Sequence, residues 1–263
     1  MNSKNILTNT IDALKISTDH VMNFYNKNII YKNKSKYSRD IVSEVDKNSE
    51  KLILNYLISK YKKHNFILEE GENIENNSDY TWYIDPLDGT VNFSKGIDIF
   101  SISIGLKLKK NLFMGAVSLP YQNTIFYTHE GKSFKNGYQI KCSRVENLKD
   151  TLNVFVFSSE KYSTKRSQYS LFGKINDNTM GALRIGSTAY ALTLMAEGKI
   201  DSLVGFKIKT WDLFGGLKLA IDSGCIYELG KIENNIVDYV VVSNKKIFNS
   251  LKQIIKKTKH IHD

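Results

Sequence analysis

The sequence predicts an α/β (α+β) protein in alternating layers of helix and sheet, and two contrasting periodicities carry that expectation. Residues 4–30 place Leu7, Ile11, Leu14, Val21 and Tyr25 at spacings of three, four and their multiples, the period of a helix with one apolar face. Residues 100–108 instead alternate: Phe100, Ile102, Ile104, Leu106 and Leu108 fall between Ser101, Ser103, Gly105 and Lys107, the pattern of a half-buried strand.

A lysine-rich loop is expected at 31–39, followed by a second helix carrying Leu52, Ile53, Tyr56 and Leu57. Residues 66–68 read as a short strand that delivers Glu69 and Glu70, and 71–80 as a polar loop. Strands are expected at 112–119 and 124–128, with Asn136-Gly137 as a hairpin turn. The first half, 1–142, thus reads as helices against a mostly antiparallel sheet. The second, 143–263, opens on a strand at 152–157, with a loop or frayed helix start from 158 to 170. Gly186-Ser187-Thr188 introduces a helix bearing Ala191, Leu192, Leu194 and Met195, and a short strand follows at 200–204. Another helix opens at Trp211-Asp212, where Gly215, Gly216 and Ala220 permit close packing. Strands near 225–229 and 239–242 and a helix at 245–257 complete two halves expected to pack as one unit.

At 263 residues with 41% hydrophobic content, the chain can bury a substantial core. It contains no run of about 18 apolar residues and no apolar core in its first residues, so a cytoplasmic protein without a membrane span is expected. Cys142 and Cys225 show no metal-type spacing. The net charge of +10 comes from scattered lysines, densest at Lys252, Lys256, Lys257 and Lys259. That distribution suits a solvated helix face better than a nucleic-acid groove, and it favours anionic small molecules. His64 and His129 read as surface residues.

Chemistry concentrates at 82–93. An apolar run, Trp82-Tyr83-Ile84, leads into Asp85-Pro86-Leu87-Asp88-Gly89-Thr90. Pro86 fixes its own φ, and Gly89 permits dihedrals that a side chain forbids. A strand ending in such a turn holds Asp85 and Asp88 close together, and two neighbouring carboxylates repel unless a proton or a cation lies between them. Hard cations such as Mg²⁺ take oxygen ligands of this kind. Read alone, Pro-x-Asp-Gly is also common surface-turn chemistry.

The flanking residues favour chemistry. Asp85-Pro86-Leu87-Asp88-Gly89-Thr90-Val91-Asn92-Phe93 resembles the first signature of the inositol monophosphatase family of Mg²⁺-dependent phosphatases. Leu68-Glu69-Glu70-Gly71 and Trp211-Asp212-Leu213-Phe214-Gly215-Gly216 resemble two further motifs of that family, in the same order, and the likeness spans residues 5–245. The resemblance implies an αβαβα sandwich of the inositol monophosphatase/fructose-1,6-bisphosphatase type, a homodimer, and two or three Mg²⁺ per site. It implies hydrolysis of a small phosphate ester by activated water, with no covalent intermediate. Glu70, Asp85 and the Leu87 carbonyl would hold the first ion; Asp85 would bridge to a second held by Asp88 and Asp212. Glu69 ranks below Glu70 as a ligand. Thr90 would position water with Glu70 and Asp46, although Asp46 near a helix start could also be a cap. Asp88, Gly89, Thr90, Gly186 and Ser187 are the expected substrate contacts.

One position departs from the family pattern. Inositol phosphate-hydrolysing members carry a glutamate seven residues before the second-signature aspartate, where this chain has Gly205, with Lys207 and Lys209 after it. Myo-inositol 1-phosphate is therefore not expected to be the best substrate, and Lys207 or Lys209 is expected to meet a second anionic group. A 3′-phosphoadenosine 5′-phosphate phosphatase or a fructose-1,6-bisphosphatase of the same superfamily is the alternative. From another class, the alternative is a non-catalytic regulatory or nucleic-acid-binding protein.

Overall fold

The computed structural model describes residues 3–34, 41–157 and 166–258. Helix α1 (Ser3–Phe24) is shorter than its periodicity suggests: Asn26 adopts a left-handed φ of 59° just beyond it. Its buried stripe is Ile6, Thr10, Ala13, Leu14, Ser17 and Val21, rotated by one residue from the Leu7/Ile11 line. Small polar residues fit that stripe because they are satisfied locally. Thr10 donates to the Ile6 carbonyl at 2.8 Å, and Ser17 pairs with Ser49 at 2.5 Å. Strands β1 (Tyr31–Asn33) and β2 (Ile41–Ser43) form a small antiparallel pair, so part of the expected loop is strand; residues 35–40 lie outside the described residues. Ser43 then caps α2 (Glu44–Lys60) in a capping box with Asp46.

Seven strands follow in chain order across one sheet: β3 (Asn65–Leu68), β4 (Tyr80–Asp88), β5 (Ser101–Leu108), β6 (Asn111–Leu119), β7 (Thr124–His129), β8 (Lys132–Lys135) and β9 (Tyr138–Ile140). Only β3 and β4 pair in parallel. A one-turn helix, α3 (Thr90–Ser94), interrupts the run after β4.

The second sheet contains β10 (Leu152–Val156), β11 (Gly181–Leu183), β12 (Ser202–Lys209), β13 (Cys225–Leu229), β14 (Ile232–Glu233) and β15 (Ile236–Asn244). Its order is β11-β10-β12-β15-β13, with β14 also on β15. Between these strands lie α4 (Arg166–Asn178), α5 (Thr188–Ala196) and α6 (Thr210–Ser223), and α7 (Phe248–Lys257) comes last. Residues 166–170, expected as loop or helix start, open a full helix; 158–165 lie outside the described residues, as do 259–263, Lys259 among them.

The layers run α1/α2, first sheet, α5/α6, second sheet, α4/α7. This is an αβαβα sandwich. Separate apolar clusters fill the interfaces: Leu14, Ile53, Trp82 and Ile104 under α1/α2, Leu192, Leu213 and Leu217 against the second sheet, and Leu171, Ile175 and Leu251 beneath α4/α7. Glycine sets the closest approach. A Cβ on Gly115 would lie 2.2 Å from the Gly215 carbonyl oxygen, and one on Gly105 2.9 Å from the Gly215 nitrogen. Helix α6 therefore lies directly on β5 and β6, with Asp212 one turn upstream.

His64 is buried rather than exposed. Its ring stacks between Tyr61 and Tyr80, and its Nδ1 accepts the Trp82 indole N–H at 2.9 Å.

Candidate active site

Regular alternation would send Asp85 and Asp88, three residues apart, to opposite faces of β4. The ladder prevents this: Asp85 pairs with Ser103 and Asp88 with Ser101, so three steps on β4 match two on β5. The extra residue is a bulge at Pro86-Leu87, which turns both carboxylates the same way. Asp212, in the first turn of α6, completes the group: one carboxylate oxygen from each of Asp85, Asp88 and Asp212 lies within 4.8 Å of the others. Asp85 and Asp88 are buried.

Neighbours orient the carboxylates of β4. Asp88 Oδ2 accepts from the Ser187 hydroxyl at 2.6 Å and the Ala189 N–H at 2.7 Å, leaving Oδ1 for the cluster. Asp85 Oδ1 accepts the Leu87 N–H at 3.0 Å. Burial raises all three pKa values: Asp88 to about 6 despite its donors, and Asp85 and Asp212 well above the ordinary carboxylate value, with the neighbouring carboxylates adding to both. An all-oxygen set carrying uncompensated buried charge suits a hard cation, and the cluster can hold a metal ion.

The two glutamates exchange the places expected for them. Glu69, not Glu70, lines the cavity at the aspartates and bonds to Asp85. Glu70 is held by Lys34 and has a pKa raised to about 8, by burial first and the Glu69 charge second. Lys34 also pairs with Glu69 at 2.6 Å. Burial pulls the Lys34 pKa down, but the two carboxylates outweigh it and raise it.

Asp46 is the N3 member of the α2 capping box, with Ser43 as the cap, and it also holds Thr90. Its Oδ2 accepts from Ser43 N–H and hydroxyl at 2.8 and 2.6 Å, while Oδ1 accepts from the Thr90 hydroxyl at 3.1 Å. That hydroxyl also lies 3.0 Å from the Leu87 carbonyl. Gly89, with φ of 97°, starts α3 where a Cβ would meet the Ile99 carbonyl at 2.9 Å. Gly186, with φ of 82°, lies against Asn92, whose amide donates to the carbonyls of Ile99 and Ile185. Asn92 thereby ties the 186–187 segment to the aspartate turn.

The cavity over the cluster measures about 510 Å³, and its lining includes Lys34, Arg184, Lys207 and Lys209. Lys207 is already paired with Asp238, and Lys209 stands 5.6 Å from the Trp211 ring centroid. Arg184, which sequence reasoning missed, has no ion-pair partner among the described residues. Nothing in its Leu183-Arg184-Ile185 context signals a site. At Gly205, a Cβ would meet Ile208 Cδ1 at 2.2 Å, so Ile208 occupies the space that a longer side chain would need.

Residues 3–258 match the model of the inositol monophosphatase family. The chain belongs to that family. It is 32% identical over 223 residues to an Aquifex aeolicus protein named fructose-1,6-bisphosphatase/inositol-1-monophosphatase, covering 84% of each chain. It is 32% identical over 195 residues to Nus factor SuhB of Escherichia coli, covering 73% of this chain and 72% of that protein. Among solved structures, inositol monophosphatase from Anabaena superposes with a TM-score of 0.86 at 22% identity, over 99% of both chains. The suhB extragenic suppressor protein of Bartonella henselae gives 0.87 at 23% identity, over 96% of this chain and 99% of that one. The shared sandwich is thus the fold of this phosphatase family. Among the described residues, no helix is long and apolar enough to cross a membrane.

Proposed function

We propose that this family member is a Mg²⁺-dependent phosphomonoesterase acting on a small anionic phosphate ester. The convergence of Asp85, Asp88 and Asp212 carries the reading. A binding module gains nothing from buried carboxylates that repel one another. Glu69, Asp85, Asp88, Asp212 and the Leu87 carbonyl would hold the ions. When bound there, Mg²⁺ supplies the positive charge that attracts phosphate, lowers the pKa of water and steadies the leaving oxygen.

The chain's own groups do the positioning. Thr90, fixed by Asp46, offers its hydroxyl oxygen to a water molecule beside Glu69. The amides of Gly89 and Thr90 at the start of α3 suit phosphate oxygens. Ser187 acts chiefly by aiming Asp88, and Gly186 lines the approach. With Lys207 neutralised by Asp238 and Lys34 by the glutamates, Arg184 and Lys209 are the cavity cations, among the described residues, left to meet a second anionic group. This favours a bisphosphorylated sugar or nucleotide over myo-inositol 1-phosphate, whose hydroxyls lose a carboxylate acceptor at Gly205. We place the protein in the cytoplasm as a homodimer on the family likeness.

Phosphate release from inositol, sugar and nucleotide mono- and bisphosphates, with Mg²⁺ and with EDTA, tests the proposal. Activity that requires Mg²⁺ and disappears in Asp88→Asn supports it. A folded protein that hydrolyses nothing would sink it and leave the regulatory reading, for which the +10 charge is the motive.

A further inference from the structure

We propose that Glu50 is a positioning residue of the metal centre, one that fixes the backbone of residues 69–71 and so sets where the Glu69 carboxylate meets the aspartates. The inference rests on the metal-site reading above. Glu50 is only 4% exposed, yet no basic side chain pairs with it among the described residues. Its Oε2 accepts the Glu70 N–H at 2.9 Å. The N–H groups of Glu69 and Gly71 also favour its charged form, although burial outweighs all three amides and raises its pKa. The chain passes so close that a Cβ on Gly71 would lie 3.0 Å from Glu50 Oε1.

The bonded Glu70 amide, with the Glu69 and Gly71 amides beside it, offsets part of the hydration that the buried carboxylate has lost. Packing alone would be met by glutamine or methionine of similar size. The rest of the α2 face shows what the carboxylate accomplishes. Asp46, four residues earlier, holds Thr90, and Ser49 donates to the Pro86 carbonyl at 3.0 Å. One rigid helix therefore grips both segments that supply ligands, 69–71 through Glu50 and 86–90 through Ser49 and Asp46. The distance between Glu69 and Asp85 is set by that common support, because β3 has already ended at Leu68.

The test is Glu50→Gln in the full chain. The amide keeps the volume but removes the charge and one of the two acceptor oxygens. Mg²⁺ binding is measured by calorimetry on EDTA-stripped protein, beside thermal unfolding in EDTA. The expected result is Mg²⁺ affinity weaker by about 10–100-fold, the usual effect of removing a group that orients a ligand, with activity recovering at high Mg²⁺. An unchanged dissociation constant overturns the proposal, as does a lower thermal midpoint without a change in Mg²⁺ affinity, which would mark Glu50 as structural only. If Glu50→Gln does not fold, Glu50→Asp, which withdraws the acceptors by one methylene, is held to the same two outcomes. Wild-type protein that binds no Mg²⁺ would overturn the metal-site reading itself, a result distinct from normal wild-type binding that the variant leaves unchanged.

Discussion

Ser187 donates its hydroxyl to Asp88 Oδ2 at 2.6 Å, joining the N-cap of α5 to a carboxylate 99 residues earlier. The bond fixes which oxygen of Asp88 faces the cluster. Ser187→Ala leaves the Ala189 N–H on the same oxygen, so the expected loss is partial: about tenfold more Mg²⁺ for half-maximal phosphate release. A Mg²⁺ titration of activity checks this. An unchanged titration would reduce Ser187 to a helix cap.

Gly215 is where α6 touches the first sheet. A Cβ there would lie 2.4 Å from Ser103 Oγ and 3.1 Å from the Ile104 carbonyl. Gly215→Ala should lift the helix, cost about 1–3 kcal/mol by overpacking, and weaken Mg²⁺ binding by displacing Asp212. Gly173→Ala, in α4 with nothing within 4 Å of where its methyl group would stand, should instead stabilise by about 0.5–1 kcal/mol. Urea midpoints of the two variants separate packing from helix propensity.

The aspartates are legible in sequence because the proline and glycine that shape their turn lie beside them. Asp212 is legible because Gly215 and Gly216, which permit its helix to approach, come within about one turn of it. The choice between Glu69 and Glu70 is not, since it depends on where β3 stops and on a carboxylate at position 50. His64 misleads for a similar reason: its partners Tyr61, Tyr80 and Trp82 are spread along the chain, and a lysine-rich neighbourhood hides them. Helix α4 buries only Gln168, Leu171 and Ile175, a weak apolar signal in a polar stretch.

Burial lowers the pKa of His64 from its ordinary value of 6.5, and its Nδ1 must stay unprotonated to accept from Trp82. The unfolded chain then binds a proton more readily than the native protein. This contribution is complete above pH 6.5 and is lost as pH falls below 6.5 toward the folded value. The urea midpoint of wild type should therefore fall more steeply between about pH 7.5 and 5 than that of His64→Gln, which keeps an acceptor and cannot titrate. Parallel curves would show that His64 does not contribute.

The aspartate cluster has the opposite sign. The pKa of Asp88 is raised to about 6 and those of Asp85 and Asp212 are also raised. Without metal these groups add stability below the ordinary value of 3.8, and that stability is lost as pH rises through the folded values. At about pH 8, above the value near 6 of Asp88, the metal-free protein bears the burial of these carboxylates and the repulsion between those that have ionised. Asp212→Asn should remove part of it, raising stability in EDTA by about 0.5–2 kcal/mol while abolishing both phosphate release and the stabilisation that Mg²⁺ gives wild type. Thermal midpoints at that pH, each protein with EDTA and with Mg²⁺, decide the matter. A variant less stable than wild type in EDTA would mean that Asp212 is held by attraction within the fold rather than kept against repulsion for its chemistry.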